Sequence, residues 1–147
     1  MPKDIRRLVF SNAEVTKAIQ DYGTDQETEI PSGKVVKLTI SDRESSANFF
    51  LSDKHTSFLE NYNIDKKSHS AIVTFHDVTK EEQQNSYLTT NTEFITAALI
   101  DFCLRHPDIR IPKKGKKNVA KTDFNICLDI YFNVDPEDTE PDFALED

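Results

Sequence analysis

Residues 124–134, FNICLDIYFNV, alternate apolar and polar side chains along their whole length. The apolar row consists of Phe124, Ile126, Leu128, Ile130, Phe132 and Val134. Successive side chains of a strand point to opposite faces, so this period of two predicts an antiparallel strand with one face in the core and the other wet or lightly covered. Asp129, in the polar row, is expected to be solvated or to pair with a base across the sheet rather than to act in catalysis.

Two further strands are predicted upstream. GKVVKLTIS (33–41) alternates, and the polar turn DRESS (42–46) leads into the apolar ANFFL (47–51), which suggests a hairpin. SAIVTFHDV (70–78) is a compact run of β-branched and aromatic residues, typical of a central strand.

Helices are predicted between the strands. TTNTEFITAALIDFCLRH (89–106) begins with a capping-box pattern from Thr90 to Glu93. Its predicted core face is Phe94, Ile95, Ala98, Leu99, Phe102 and Cys103. A second helix, NAEVTKAIQDY (12–22), has a capping box from Ser11 to Glu14 and stops near Gly23. Weaker helical patterns cover DKHTSFLENY (53–62) and KEEQQNSYL (80–88).

The elements do not alternate as regular βαβ units, which favours an α+β fold. We expect one domain over residues 1–134, with its folded unit starting near residue 8, and a small mixed or antiparallel sheet of three to five strands packed with two to four helices. The thirteen residues 135–147, DPEDTEPDFALED, carry seven carboxylates and no base. This composition predicts an acidic, disordered tail.

An internal similarity appears at an offset of 80 residues, where VTKAIQDY (15–22) aligns with ITAALIDF (95–102). Thr16 matches Thr96, and each copy continues into an Ile-Pro pair, a Gly-Lys pair and a strand. Two pseudo-repeated halves would give this order, and so would chance similarity between amphipathic helices and Pro-Gly turns.

Composition excludes several classes of function. The 147 residues carry a formal net charge of −8, which argues against a surface that binds nucleic acid or anionic membrane as a whole. No apolar run approaches the roughly 20 residues of a membrane span, and the N-terminal residues lack the pattern of a secretory signal, so we expect a cytoplasmic protein. Only three glycines occur, too few for a phosphate cradle or dinucleotide fingerprint.

No pattern of catalytic or metal-binding residues emerges, so we expect no enzyme, no cofactor and no metal. Cys103 and His106 offer half of a metal site, but a buried thiol beside a helix-terminal histidine is the simpler interpretation. Strand spacing puts His69 and His76 on opposite faces, and His55 is expected to face water.

The candidate binding residues lie in IPKKGKKNVAK (111–121), within an apparently long loop between Pro112 and Phe124. They are Lys113, Lys114, Lys116, Lys117 and Lys121. These lysines suit a phosphate backbone or an acidic partner, and a plain solvated loop is the alternative. The acidic tail is long enough to fold back and mask them.

Two segments resemble known proteins. AALIDFCLRHPDIRIPKKGKK (97–117) resembles a segment of short bacterial proteins of unknown function, which implies no activity. SAIVTFHDVTKEEQQ (70–84) resembles the final strand and exit of PAS sensor domains through Phe75, Asp77, Val78 and Thr79, whereas Lys80 departs from the usual acidic residue. That resemblance implies a sensor of small molecules.

The leading expectation is a non-catalytic protein–protein interaction module of the adaptor, inhibitor or immunity type. The alternatives are a nucleic-acid- or phosphate-binding protein that uses the basic segment 113–121, and a PAS-like sensor domain. A homodimer formed through the edge of the strand at 124–134 is a secondary expectation.

Overall fold

The computed structural model describes residues 3–44, 53–65, 67–79 and 85–133. These residues form six strands and three helices: β1 (Lys3–Phe10), α1 (Asn12–Asp25), β2 (Lys34–Glu44), α2 (Asp53–Asn61), β3 (His69–His76), β4 (Asn85–Asn91), α3 (Thr92–Leu104), β5 (Lys116–Lys121) and β6 (Ile126–Asn133). The α+β class predicted from the sequence is confirmed.

The strands form two antiparallel sheets that exchange their first strands. Sheet A has the order β1-β6-β5, and sheet B has the order β2-β3-β4. Along the chain the order strand, helix, strand, strand occurs twice, with α2 inserted in the first copy. β1 leaves its own half to pair with β6 of the second half, and β4 pairs with β3 of the first. The halves are therefore interlocked.

The internal similarity of the sequence corresponds to a shared junction between helix and strand. The hydroxyl of Thr16 donates to the carbonyl of Asn12 at 2.7 Å and accepts the amide of Val35 at 2.8 Å. In the second half, Thr96 donates to the carbonyl of Thr92 at 2.6 Å and accepts the amide of Val119 at 2.9 Å. Each threonine thus supplies the partner that a buried strand amide requires.

The core lies around α3, which contacts strands of both sheets as well as α1 and α2. All six residues predicted for its core face are buried, and so are Ala97 and Ile100 on its other sides. A helix that is apolar all round belongs in the centre of a domain. α1 buries one face that includes Val15, Ile19 and Tyr22.

Several local predictions are wrong. β1 was not predicted, and the folded unit begins before residue 8. Residues 85–88 belong to β4 and not to a helix, because their alternate side chains, such as Leu88, face the core of sheet B. α3 is capped by Asn91, one residue after the predicted Thr90, whereas the Ser11–Glu14 capping box of α1 is confirmed.

Other predictions concern segments near or beyond the limits of the described residues. β2 continues through Glu44, so residues 42–44 of the predicted turn DRESS belong to a strand. The predicted hairpin strand 47–51 and the acidic tail 135–147 lie outside the described residues. The strand predicted at 124–134 exists as β6, with Phe124 in the preceding turn. β6 is central in sheet A and both of its edges are paired, so a homodimer cannot form through them.

Candidate functional site

The predicted basic loop is mostly a strand. Lys116, Lys117 and Lys121 lie in β5, whose pairing with β6 begins at Lys116↔Tyr131 and ends at Lys121↔Ile126. Only residues 122–125 connect the two strands. The lysines therefore do not form one flexible segment. Three of them lie at or before the start of β5, and Lys121 lies at its other end.

Lys117 is buried, with none of its surface exposed. Its ammonium donates to the carbonyls of Tyr62 at 2.8 Å and of Lys113, Lys114 and Gly115 at 3.0, 3.2 and 2.9 Å. Tyr62 follows α2, and the other three carbonyls belong to the turn before β5. Lys117 thus ties the end of α2 to that turn, and the prediction that it belongs to an accessible basic surface is wrong.

The remaining lysines fall into two places. Lys113, Lys114 and Lys116 are exposed near the start of β5. Lys121 is exposed as a residue, but its ammonium donates to the carbonyl of Leu38 at 2.7 Å and so joins β5 to sheet B. The accessible cluster therefore has three members, and we call Lys113, Lys114 and Lys116 the basic cluster.

The basic cluster borders the face of sheet A that points away from the core. The strand registers place three rungs on this outer face: Ile5, Tyr131 and Lys116; Arg7, Asp129 and Asn118; Val9, Cys127 and Ala120. Ile5, Val9 and Tyr131 expose 52%, 58% and 40% of their surface, so large apolar side chains on this face are open to solvent. Cys127 and Asp129 are buried between their neighbours on β1 and β5.

An ion pair occupies the middle rung of the outer face. Arg7 donates from Nε and from a terminal nitrogen to the two carboxylate oxygens of Asp129, at 2.7 and 2.8 Å. The Asp129 carboxylate is 3% exposed and the Arg7 side chain 46%, so one end of the pair is fixed inside the sheet and the other meets solvent. The hydrogen bond to Asp129 raises the pKa of Arg7. The cross-strand ion pair expected for Asp129 is confirmed.

Tyr131 extends this network toward the basic cluster. Its hydroxyl donates to the second carboxylate oxygen of Asp129 at 3.4 Å. Burial, with the neighbouring carboxylate of Asp129, raises the pKa of Tyr131, so the hydroxyl stays protonated at neutral pH. Two short hydrogen bonds hold Arg7 in place, and the Tyr131 hydroxyl lies near the same carboxylate. Both are residue types enriched in the energetically dominant part of protein interfaces.

The matching outer face of sheet B has a different character. Strand alternation brings Thr39, Thr74 and Thr89 to it, together with Ile72 and Tyr87. Ile72 and Tyr87 expose 41% and 63% of their surface. No ion pair between described residues crosses this face, in contrast to sheet A.

The histidines and cysteines do not assemble a reactive site in the part of the chain that the structure describes. Cys103 is fully buried, which raises its pKa to about 12 and keeps the thiol protonated. His106 hydrogen-bonds through Nδ1 to the carbonyl of Phe102 at 2.7 Å. Among the described residues no group of three or more potential ligands could hold a metal ion.

His55 is not solvated, contrary to the sequence prediction. It is 2% exposed in α2, and its Nδ1 is hydrogen-bonded to the hydroxyl of Tyr22 at 2.5 Å. Burial lowers the pKa of His55 and raises that of Tyr22. The pair joins α2 to α1 inside the protein and has a structural role.

A cleft of about 220 Å³ lies between the two sheets near the start of α1. The residues around it include Asn12, Val36, Lys37, Phe124 and Asn125. The ammonium of Lys121, on its wall, is already bonded to Leu38. We assign no chemistry to this cleft, because no buried polar group is directed into it.

The sequence missed the β1 residues of the outer face. Ile5 and Val9 alternate with Leu8 and Phe10, but Arg6 and Arg7 interrupt both rows and weaken the period of two. The remaining indication in the sequence was the polar row of β6, for which no neighbouring strand had been predicted. Asp129 in a lightly covered row requires a cationic neighbour, and Arg7 is the nearest base across the sheet.

Comparison with known proteins identifies no relative: no family model, curated protein or solved structure matches this chain. The PAS resemblance receives no support from topology, since β3 is the central strand of a three-stranded sheet and is followed by β4 of the same sheet. None of the helices formed by the described residues has the length and apolar character to cross a membrane.

Proposed function

We propose that this chain is a non-catalytic protein-binding module of the adaptor, inhibitor or immunity type, and that its contact surface is the outer face of sheet A. One observation carries the proposal. Three large exposed residues, Ile5, Val9 and Tyr131, lie on both sides of the Arg7–Asp129 pair on one face of the sheet. The free, buried thiols of Cys103 and Cys127 suit a reducing compartment, and we propose the cytoplasm.

The chemistry of this face matches protein more closely than small molecules. It is the open face of a three-stranded sheet, to which each rung contributes one side chain per strand. Small ligands prefer concave sites that bury most of their surface. Protein interfaces combine an apolar centre with tyrosine, arginine and a polar rim, which here corresponds to Tyr131, Arg7 and Lys116.

The test is capture of a partner from host lysate with nuclease present, followed by its identification and by titration of the purified partner. The variant Ile5→Ser/Val9→Ser/Tyr131→Ser is expected to weaken binding at least about 100-fold, since loss of a dominant contact costs about 2 kcal/mol or more. The matched control Val36→Ser/Ile72→Ser/Tyr87→Ser changes three residues of similar exposure on sheet B. Equal loss in both variants, or in neither, would refute the assignment to sheet A.

A second function is favoured by one specific contact. Lys116 lies directly across from the exposed Tyr131, which combines a base with an aromatic platform as in proteins that bind single-stranded nucleic acid. Because Lys117 is buried and the ammonium of Lys121 is bonded to Leu38, we take the exposed basic cluster as the phosphate contact among these five lysines. Oligonucleotide affinity would then fall with salt at a logarithmic slope of about −2, from three contacts on a single strand. A slope of about −3.5 would require all five lysines and contradict the structure.

A further inference from the structure

The segment after β6 begins next to the basic cluster. β6 ends at Asn133, and the register Lys116↔Tyr131 places Lys116 two residues from that end. Lys113 and Lys114 directly precede β5 and lie at the same end of sheet A. The chain therefore continues into residues 135–147 from a point beside all three lysines.

The charge of the protein is concentrated in that segment. Residues 135–147 contain seven of the 26 carboxylates and none of the 18 bases, so the rest of the chain carries 18 bases against 19 carboxylates. The body of the protein is nearly neutral, and the exposed lysines of the basic cluster lie at the end of sheet A where β6 ends and the acidic segment follows in sequence. A short tether raises the effective concentration of one group near the other to the millimolar range, so even a weak attraction is populated.

The segment also carries apolar residues that suit the outer face. Phe143 and Leu145 follow the first five carboxylates. Nine extended residues reach about 30 Å, whereas the rungs from Tyr131 to Cys127 cover only about 14 Å of strand. The acidic part can therefore lie against the lysines while Phe143 and Leu145 contact Ile5 and Val9.

We propose that residues 135–147 dock in cis onto the outer face of sheet A, with their carboxylates at the basic cluster and Phe143 and Leu145 on the apolar rungs. This inference rests on the proposed function, because it assigns that face an internal competitor. An external partner must displace the segment, and the chemistry of the segment identifies the partner's contact as an acidic stretch with aromatic or aliphatic anchors.

The test places a nitroxide on the full-length variant Ala144→Cys and measures loss of amide NMR signal intensity. The native thiols of Cys103 and Cys127 are fully buried and stay unlabelled. At an ionic strength of about 0.01 M, where the Debye length is about 30 Å, the largest losses are expected in residues 5–9, 116–118 and 127–131. These losses of signal intensity are expected to be smaller at an ionic strength of about 1 M, where the Debye length is about 3 Å.

Two charge-reversal variants separate docking from nonspecific attraction. Lys113→Glu/Lys114→Glu/Lys116→Glu is expected to abolish the losses on sheet A, and the control Lys34→Glu/Lys54→Glu/Lys67→Glu, which changes three exposed lysines elsewhere, is expected to retain them. Uniform losses, losses centred on sheet B, or equal effects of the two variants would overturn the proposal. Losses in a mixture of isotope-labelled and spin-labelled molecules would place the segment on a second copy and overturn docking in cis.

Failure of this inference is distinguishable from failure of the proposed function. If docking is correct, the full-length variant Phe143→Ser/Leu145→Ser binds the captured partner several-fold more tightly than wild type. If the nitroxide shows no docking while the sheet A variant still loses its partner, only the internal competitor is refuted. If docking is observed but the sheet A variant keeps its partner, the proposed function fails.

Discussion

The two halves of the chain share one junction and differ in how the strand beyond it is held. In both, a threonine hydroxyl of the helix accepts a hydrogen bond from the backbone amide of a valine, which is Val35 in β2 and Val119 in β5. Between the preceding glycine and that valine, however, the second half has two more residues, one of which is Lys117. The shared hydrogen bond tolerates this insertion, and the insertion supplies a buried ammonium with no counterpart among the described residues of the first half.

The halves also present different outer faces. Sheet A carries the Arg7–Asp129 pair among exposed apolar residues, whereas sheet B carries threonines around Ile72 and Tyr87. The common scaffold therefore fixes which positions face outward, and the residues at those positions differentiate the two surfaces. Comparing matched substitutions in the two halves distinguishes residues that stabilise the common fold from residues that only shape an outer face.

The largest difference between the halves is expected at Lys117. Lys117→Met removes an ammonium that four carbonyls accept from within a buried site, and we expect the free energy of unfolding to fall by about 3 to 5 kcal/mol. Urea denaturation measures the loss. Lys116→Met, one residue away in β5 and exposed, is the control and should change stability by no more than about 0.5 kcal/mol. Similar losses in both variants would contradict a special role for Lys117.

The next difference is expected at the two glycines before the paired strands. Gly33 has a φ of 104° and Gly115 a φ of 86°, both unfavourable for alanine. An alanine Cβ at Gly33 would lie 2.6 Å from the backbone carbonyl oxygen of His76, whereas at Gly115 it would meet side-chain atoms of Ile130 and Phe132. Side chains adjust more easily than backbone.

We therefore expect Gly33→Ala to cost about 2 to 3 kcal/mol and Gly115→Ala about 1 to 2 kcal/mol, measured by denaturant midpoints at unchanged slope. The reverse order would show that the turn before β5, which Lys117 holds, is the more rigid of the two.

A smaller difference is expected at the shared junction itself. Thr96→Val and Thr16→Val keep the shape of the side chain and remove the acceptor of a buried amide. Thr96 is fully buried and Thr16 is 9% exposed, so water can reach the second site more readily. We expect losses of about 2 and about 1 kcal/mol. Thr39→Val, on the exposed face of β2, is the control and should be nearly neutral.

The sequence predicted those parts of the fold that follow from local periodicity. β6, β3, the core face of α3 and the Thr16/Thr96 correspondence each rest on a pattern within one segment. β1 was missed because Arg6 and Arg7 break its alternation. β4 was missed because its many polar residues resemble the exposed surface of a helix, and its buried face is evident only from its pairing with β3. The exchange of strands between halves depends on pairing across the whole chain, which local patterns do not encode.

The candidate site was predicted only in part for a related reason. Local composition identified the lysines, but it could not show that Lys117 reaches the carbonyl of Tyr62 or that Lys121 reaches that of Leu38. The acceptors belong to segments distant in sequence. The same limit explains His55, whose polar neighbours in α2 indicated exposure although Tyr22 of α1 covers it.

His55 provides the smallest predicted effect, which appears only in acid. Its pKa is lowered by burial, so below the ordinary histidine pKa of about 6.5 the unfolded chain binds a proton that the folded protein does not accept. The contribution of neutral His55 to the free energy of unfolding is fully present above that pH and is lost as the pH falls toward the lower pKa of the folded state.

We therefore expect the free energy of unfolding to fall more between pH 7.5 and 5.5 in wild type than in His55→Gln. The comparison uses this change and not the absolute stability, because the substitution also alters packing. Glu93 and Asp101, whose pKa values burial raises, act in the opposite direction in both proteins and cancel in the difference. His76→Gln, at the end of β3, is the matched control for replacing a histidine by glutamine. Equal slopes for wild type and His55→Gln would mean that the Tyr22–His55 contact opens in solution, so that the folded protein accepts the proton as readily as the unfolded chain.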